Sequence, residues 1–173
     1  MTDQRGDTRA AVDTGPAASA AGSAGAAGPM TTGGRIGGDL PAPVPPIDAD
    51  TEAFWRATTE GRLLFTRCDA CGEPTWYPRE FCPHCGSLRV SWEQASGGGR
   101  IHSFTVVRRG GLGPYAGADP YVLAYVELDE GVRMMTNIVD VEDGDLRIGL
   151  PVTIVFHTTD GDAALPRFTP LRL

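Results

Sequence analysis

Cys68-Asp69-Ala70-Cys71-Gly72 and Cys82-Pro83-His84-Cys85-Gly86 hold all four cysteines of this 173-residue chain. Each is a Cys-x-x-Cys followed at once by glycine, which allows the tight turn in which backbone N–H groups face a metal-bound sulfur. Ten residues separate the two pairs, room enough for a returning strand. Two such knuckles set four thiolates in a tetrahedron suited to a divalent ion of zinc's size and softness. Cys68, Cys71, Cys82 and Cys85 are therefore the predicted ligands of Zn2+. Four protein ligands leave no open coordination position, so the ion is expected to staple a fold and not to activate water.

Other readings of the cysteines are weaker. Two disulfides would suit a secreted chain, but the N-terminus has no Leu-rich apolar core behind a basic start. Redox Cys-x-x-Cys motifs come singly, and a second copy at ligand spacing is better explained by coordination. Iron in a rubredoxin-like site is the second choice of metal, although the gap between the knuckles is shorter than rubredoxins use. His84, inside the second knuckle, reads as a solvent-facing spacer.

Residues 1–46 are dominated by Ala, Gly, Ser, Thr and Pro and close on Leu40-Pro41-Ala42-Pro43-Val44-Pro45-Pro46. So few large apolar side chains cannot offset the entropy of ordering, and a disordered tail with a stiffer Pro-rich end is expected. The rest divides into a helix and metal ribbon over 47–94 and a small β-domain over 95–173. A formal charge of −7 argues against nonspecific phosphate binding, which needs clustered cations. No apolar run approaches the length of a bilayer span, so no membrane partner is expected and a cytoplasmic address, with reduced thiols, is. All 15 basic residues are arginine, which excludes Schiff-base chemistry and a phosphate-loop lysine.

Between Ile47 and Gly61 the pattern predicts a helix, N-capped by Asp50 or Thr51, with Ala53, Phe54 and Ala57 on one face and Gly61 at its end. Arg62–Arg67 reads as a strand running into the first knuckle, and Trp76 and Tyr77 as a cover over the thiolates. From Val90 onward short β-branched and aromatic runs alternate with turn residues: 91–95, 100–108, 121–128, 132–139, 152–157 and a closing run near 167–171. Asp129-Glu130-Gly131 is a hairpin turn, and Gly97-Gly98-Gly99 permits a sharp barrel corner. The fold class is mainly β: an N-terminal helix, a four-cysteine ribbon and a small Greek-key barrel of OB type.

Catalytic signatures are absent. There is no Gly-x-Ser-x-Gly elbow, His-Glu-x-x-His, dinucleotide fingerprint or Walker loop. His102 and His157 sit in predicted strands without a partner acid at readable spacing and read as satisfied residues. Asp140, Glu142, Asp143 and Asp145 form a solvated acidic turn. Arg108-Arg109-Gly110-Gly111-Leu112-Gly113-Pro114-Tyr115 is an exposed loop that either holds a phosphate group or a partner's acidic surface, or simply connects two strands.

In order along the chain stand Phe54-Trp55, Gly61-Arg62-Leu63, the first knuckle, Trp76-Tyr77-Pro78-Arg79, the second knuckle, Trp92, Ser96-Gly97, Tyr121–Arg133 and Ile148-Gly149-Leu150-Pro151-Val152. Together these resemble a family of acyl-CoA-associated proteins that join a rubredoxin-like zinc ribbon to an OB-fold, over about residues 50–170. The resemblance implies a noncatalytic partner that binds and stabilises a thiolase-superfamily enzyme, or another acyl-CoA enzyme subunit, and helps to channel a CoA thioester. It carries the four metal ligands onto Cys68, Cys71, Cys82 and Cys85 and carries over no catalytic residue. Trp76, Tyr77, Arg79, Arg108 and Arg109 are the candidate contacts to a partner or to CoA. The alternative is a single-stranded nucleic-acid binder that stacks bases on Trp76, Tyr77 or Tyr115. Charge opposes it, because residues 101–173 carry ten acids against six arginines.

Overall fold

The computed structural model describes residues 35–171. Its first strand, β1 (Arg35–Ile36), pairs antiparallel with Val141–Glu142, numbered β8. The expected tail over 1–46 lies outside the described residues up to 34 and differs from the structure after that. Ile36 and Leu40, two of the few large apolar side chains there, are both buried. The Arg167 guanidinium donates to the carbonyls of Leu40 (2.7 Å) and Pro41, so residues 35–41 form a strap on the molecule. Backbone pairing and a borrowed cation compensate for what the composition lacks.

Helix α1 spans Glu52–Thr59, shorter than the Ile47–Gly61 expected, because Asp48 makes a turn first. Its carboxylate accepts the Thr51 N–H at 3.0 Å and the Thr51 hydroxyl at 2.7 Å, while its carbonyl accepts the Glu52 N–H. Thr51 is the N-cap. At the far end Gly61 and Arg62 donate back to the carbonyls of Thr58 and Ala57, a Schellman closure.

The ribbon is a three-stranded antiparallel sheet with β2 (Leu64–Cys68) between β3 (Pro74–Thr75) and β4 (Val90–Gln94). The run expected at 91–95 is β4, the outer strand of the ribbon, with β2 as its neighbour.

Five strands close the barrel: β5 (Gly98–Val107), β6 (Tyr121–Leu128), β7 (Arg133–Ile138), β9 (Pro151–Thr158) and β10 (Ala164–Pro170), in the order β10-β7-β6-β5-β9. All pairings are antiparallel except β10 with β7, fixed at Phe168 opposite Ile138. That is OB topology. Val122, Ala124, Val126 and Leu128 alternate inward along β6 to meet Ile101, Met134, Ile138, Val152 and Phe168 in one core. At Gly99 an added Cβ would lie 2.7 Å from the Glu127 carbonyl oxygen, so the strands approach there only because a side chain is missing. The expected hairpin at 129–131 joins β6 to β7, with the Gly131 N–H bonded to the Leu128 carbonyl. Between β7 and β9 there is only β8 and a 3-10 turn at Asp143–Asp145, short of the helix many OB-folds carry.

Helix α1 ties the two sheets together. Its Phe54 and Trp55 face the ribbon, and the Ala164 N–H of β10 donates to the Thr58 hydroxyl at 3.0 Å.

Candidate metal centre and surrounding surface

Both knuckles are built alike. In the first, Gly72 donates to the Cys68 carbonyl at 2.8 Å and the Ala70 N–H faces the Cys68 sulfur at 3.4 Å. In the second, Gly86 donates to the Cys82 carbonyl at 2.9 Å and the His84 N–H faces the Cys82 sulfur at 3.4 Å. Gly72 and Gly86 sit at φ 77° and 75°, the left-handed region that lets each turn close. Leading cysteines Cys68 and Cys82 are buried and trailing Cys71 and Cys85 exposed, so the site has an approximate two-fold character.

All four sulfurs lie within 4.8 Å of one another, with Cys68–Cys85 and Cys71–Cys82 at 3.6 Å. For a metal–sulfur distance of about 2.3 Å, the sulfurs of a regular tetrahedron stand about 3.8 Å apart, so the cluster fits one zinc-sized ion. Electrostatics agree. The Cys71 N–H, followed by that of Ala70, lowers the Cys68 thiol to about 6 against the effect of burial. The Glu73 N–H lowers Cys71, but burial and the three neighbouring thiols outweigh it and push Cys71 up to about 12. One thiolate forms readily and the next resists, a conflict that a divalent cation removes.

Trp76 and Tyr77, the expected cover of the thiolates, make their aromatic contacts with helix α1. Their rings pack on Phe54 at 6.3 and 6.0 Å and on each other at 5.1 Å, and Trp55 Nε1 donates to the Tyr77 hydroxyl at 3.2 Å. The aromatic pair thus seals the joint between helix and ribbon. Trp76 also lines a groove of about 460 Å³, with Pro83, His84, Glu127, Val132 and Arg133, between the second knuckle and the β6–β7 hairpin. His84 is exposed and lies outside the sulfur cluster.

Arg79 and Arg109 are exposed. Arg108 is also exposed, and its guanidinium donates to both Asp143 carboxylate oxygens at 3.0 and 2.8 Å. In the same loop Tyr115 packs on Tyr121 at 5.3 Å. His102 stands 3.8 Å from Glu127, whose carboxyl is held below its usual range first by the hydrogen bond from Arg133.

Sequence reading missed Arg167. It is 1% exposed, bonded to the strap carbonyls and to His157 Nδ1 at 3.1 Å, and its Nε has no partner among the described residues. Burial lowers its pKa, and burial followed by the Arg167 charge lowers that of His157. No alternation marks this arginine: Arg167 and Phe168 are adjacent and both buried, Phe168 in the barrel core and Arg167 on the other face against the strap, whose carbonyls no local pattern names.

A four-cysteine ribbon continued into a five-stranded OB barrel defines the class: a zinc-ribbon OB-fold protein. Residues 55–91 match the family model described as ChsH2, rubredoxin-like zinc ribbon domain, and residues 92–157 the one described as ChsH2, C-terminal OB-fold domain. A DUF35 domain-containing scaffold protein of Methanocaldococcus jannaschii is 36% identical over 115 residues, covering 62% of this chain and 79% of the relative. One of the same description from Methanothermobacter thermautotrophicus is 34% identical, covering 62% and 82%. The chain belongs to this family of DUF35-domain proteins with the ChsH2 arrangement.

A Thermomonospora curvata protein described as a probable enoyl-CoA hydratase alpha subunit is 36% identical over 129 residues, and the match spans 40% of that relative. Among solved structures, one described as an Ltp2-ChsH2(DUF35) aldolase is similar at a TM-score of 0.65 and 35% identity, covering 73% of this chain and 98% of the matched one. A Sulfolobus solfataricus DUF35 protein shares the fold at a TM-score of 0.52 and 15% identity.

Proposed function

We propose that this chain is a noncatalytic scaffold subunit that binds and stabilises an acyl-CoA-processing enzyme of the thiolase superfamily and helps to channel its CoA thioester. The observation that carries the reading is the likeness to the ChsH2 chain of an aldolase complex, at 35% identity over nearly all of that chain. Relatives described as scaffold proteins support the same role. Cys68, Cys71, Cys82 and Cys85 hold one Zn2+ and fill its coordination, which leaves the metal a structural task. Residues 47–94 act as the ribbon module and 95–173 as the barrel module, with the strap added to the barrel. Arg79 and Arg109, both exposed, are the proposed polar contacts to the partner; Trp76 and Tyr77 act through the joint they seal.

The test is recovery of the tagged chain from its native host. A thiolase-superfamily or related acyl-CoA enzyme in stoichiometric amount is the expected companion, and the isolated chain should leave thioester substrates unchanged. Thioester turnover by the isolated chain would overturn the proposal, as would tight, salt-sensitive binding of single-stranded oligonucleotides.

A further inference from the structure

Residues 38–46 are held by few attachments. Among the described residues their only hydrogen bonds are those from Arg167 to the carbonyls of Leu40, at 2.7 Å, and of Pro41. Leu40 is the one buried side chain of the segment. Upstream, β1 is anchored by its pairing with β8, and Gly37, at φ 79°, and Gly38 then offer a hinge. A segment held by one cation and one apolar side chain opens when either hold is weakened.

The cation's hold is tied to a titratable ring. His157 of β9 and Arg167 of β10 stand on the same outer face, since Arg167 is in register with Val155, two residues before His157. Arg167 Nη1 lies 2.7 Å from the Leu40 carbonyl oxygen and 3.1 Å from His157 Nδ1. A guanidinium has no acceptor, so Nδ1 must accept and the neutral ring carries its proton on Nε2. A second proton can go only to Nδ1. There it removes the acceptor and sets an imidazolium 3.1 Å from a guanidinium that is almost wholly buried, where repulsion is little screened. The half-buried ring also lines a cleft of about 490 Å³ with Gly38, Asp39, Leu40 and Ala42, which admits protons and gives it room to turn.

Charged groups face the pair from four sides. Arg167 itself opposes protonation of His157, and Asp140, in the turn after β7, favours it. The Asp140 carboxylate is also close to the hinge, 3.4 Å from where a Cβ on Gly38 would stand. Asp39 lines the cleft from the strap, and Tyr115 supports the guanidinium charge from the loop before β6.

We propose that His157 and Arg167 form a proton-sensitive latch on the strap. With the ring neutral, Arg167 holds the Leu40 and Pro41 carbonyls. With the ring protonated, the guanidinium is driven off the carbonyls, the imidazolium turns to Asp140, and residues 38–46 swing out from Gly37-Gly38 while β1 stays paired. Opening uncovers the outer face of β9 and β10, so access to that face depends on pH.

NMR relaxation of the zinc-loaded full chain, followed with the His157 ring signals from about pH 8 to about pH 5, tests this. Order parameters at Gly38, Asp39 and Leu40 should fall from about 0.85 to below about 0.6. The midpoint should equal that of the ring and lie below the ordinary 6.5, because burial and the Arg167 charge oppose protonation. Zinc content and the rigidity of Val122 and Ile138 should not change. His157→Gln, which keeps an acceptor and takes no proton, should leave the strap ordered at the acid end. Asp140→Asn, whose side chain suits the φ of 53° there, should move the midpoint to lower pH. A strap that stays rigid while the ring titrates overturns the proposal, as does one that loosens equally in His157→Gln or only together with the barrel core. So does a neutral ring protonated on Nδ1 by its nitrogen shifts. None of these outcomes bears on whether the chain binds an acyl-CoA enzyme.

Discussion

The ribbon and the barrel are small β-structures held by different forces. In the barrel each strand gives alternate side chains to a shared interior, with Val122, Val126, Ile138 and Phe168 fully buried, and closure leaves no free edge. In the ribbon β3 has two residues, β4 is largely exposed, and the buried apolar set comes down to Leu63, Phe65 and the two leading cysteines. Hydrophobic burial scales with apolar area, so the barrel can stand on its core while the ribbon depends on its metal and on helix α1. A scaffold gains from this division: one part is rigid by closure, and the other presents an open edge and the exposed thiols of Cys71 and Cys85.

Removing the metal should separate the two most sharply. Structural zinc contributes about 10 kcal/mol or more in small modules. Cys82→Ser is therefore expected to abolish zinc binding and unfold residues 62–94 while the barrel amides keep their dispersion in heteronuclear NMR spectra. A ribbon that stays folded without metal would show that Phe54, Trp55, Trp76 and Tyr77 suffice. The converse change, Phe168→Ala in the barrel, should cost about 3–5 kcal/mol and lower the melting temperature with one zinc per chain retained. Loss of zinc in that variant would mean that the ribbon cannot hold its ligands without the barrel.

Smaller effects belong to the strap. Arg167→Leu leaves the Leu40 and Pro41 carbonyls without their donor, at a cost of about 1–3 kcal/mol, and should open residues 35–46 to limited proteolysis before any other part is cut. Smallest is the pH term. His157 has a lowered pKa in the fold, from burial and then from the Arg167 charge, with Asp140 opposing. The unfolded chain then binds the proton more readily, so stability is full above about pH 6.5 and falls as the pH drops through and below that value. His157→Gln should flatten that part of the acid limb in thermal melts.

Much of the molecule was legible before its structure. The knuckles were, because their geometry is written in spacings of two and in the glycines at 72 and 86. So were the barrel strands, whose alternation at Val122, Ala124 and Val126 shows which face is buried. The pairing of strand 90–94 with β2 was not legible, because a strand of that length carries no mark of its neighbour. The packing of Trp76 and Tyr77 on a helix 22 residues upstream was not legible either, because nothing in their local sequence names that neighbour.

The sequence by itself determined what local chemistry can enforce: four thiolates that demand a metal, turns that demand glycine, and an alternation that demands a buried face. Only the tertiary structure decided which distant surfaces meet. Arg167 reaches a carbonyl 127 residues away, and α1 joins ribbon to barrel through Thr58 and Ala164, 106 residues apart. Such contacts follow from closing long loops around a common core, a global balance of burial against chain entropy that no short stretch of residues contains.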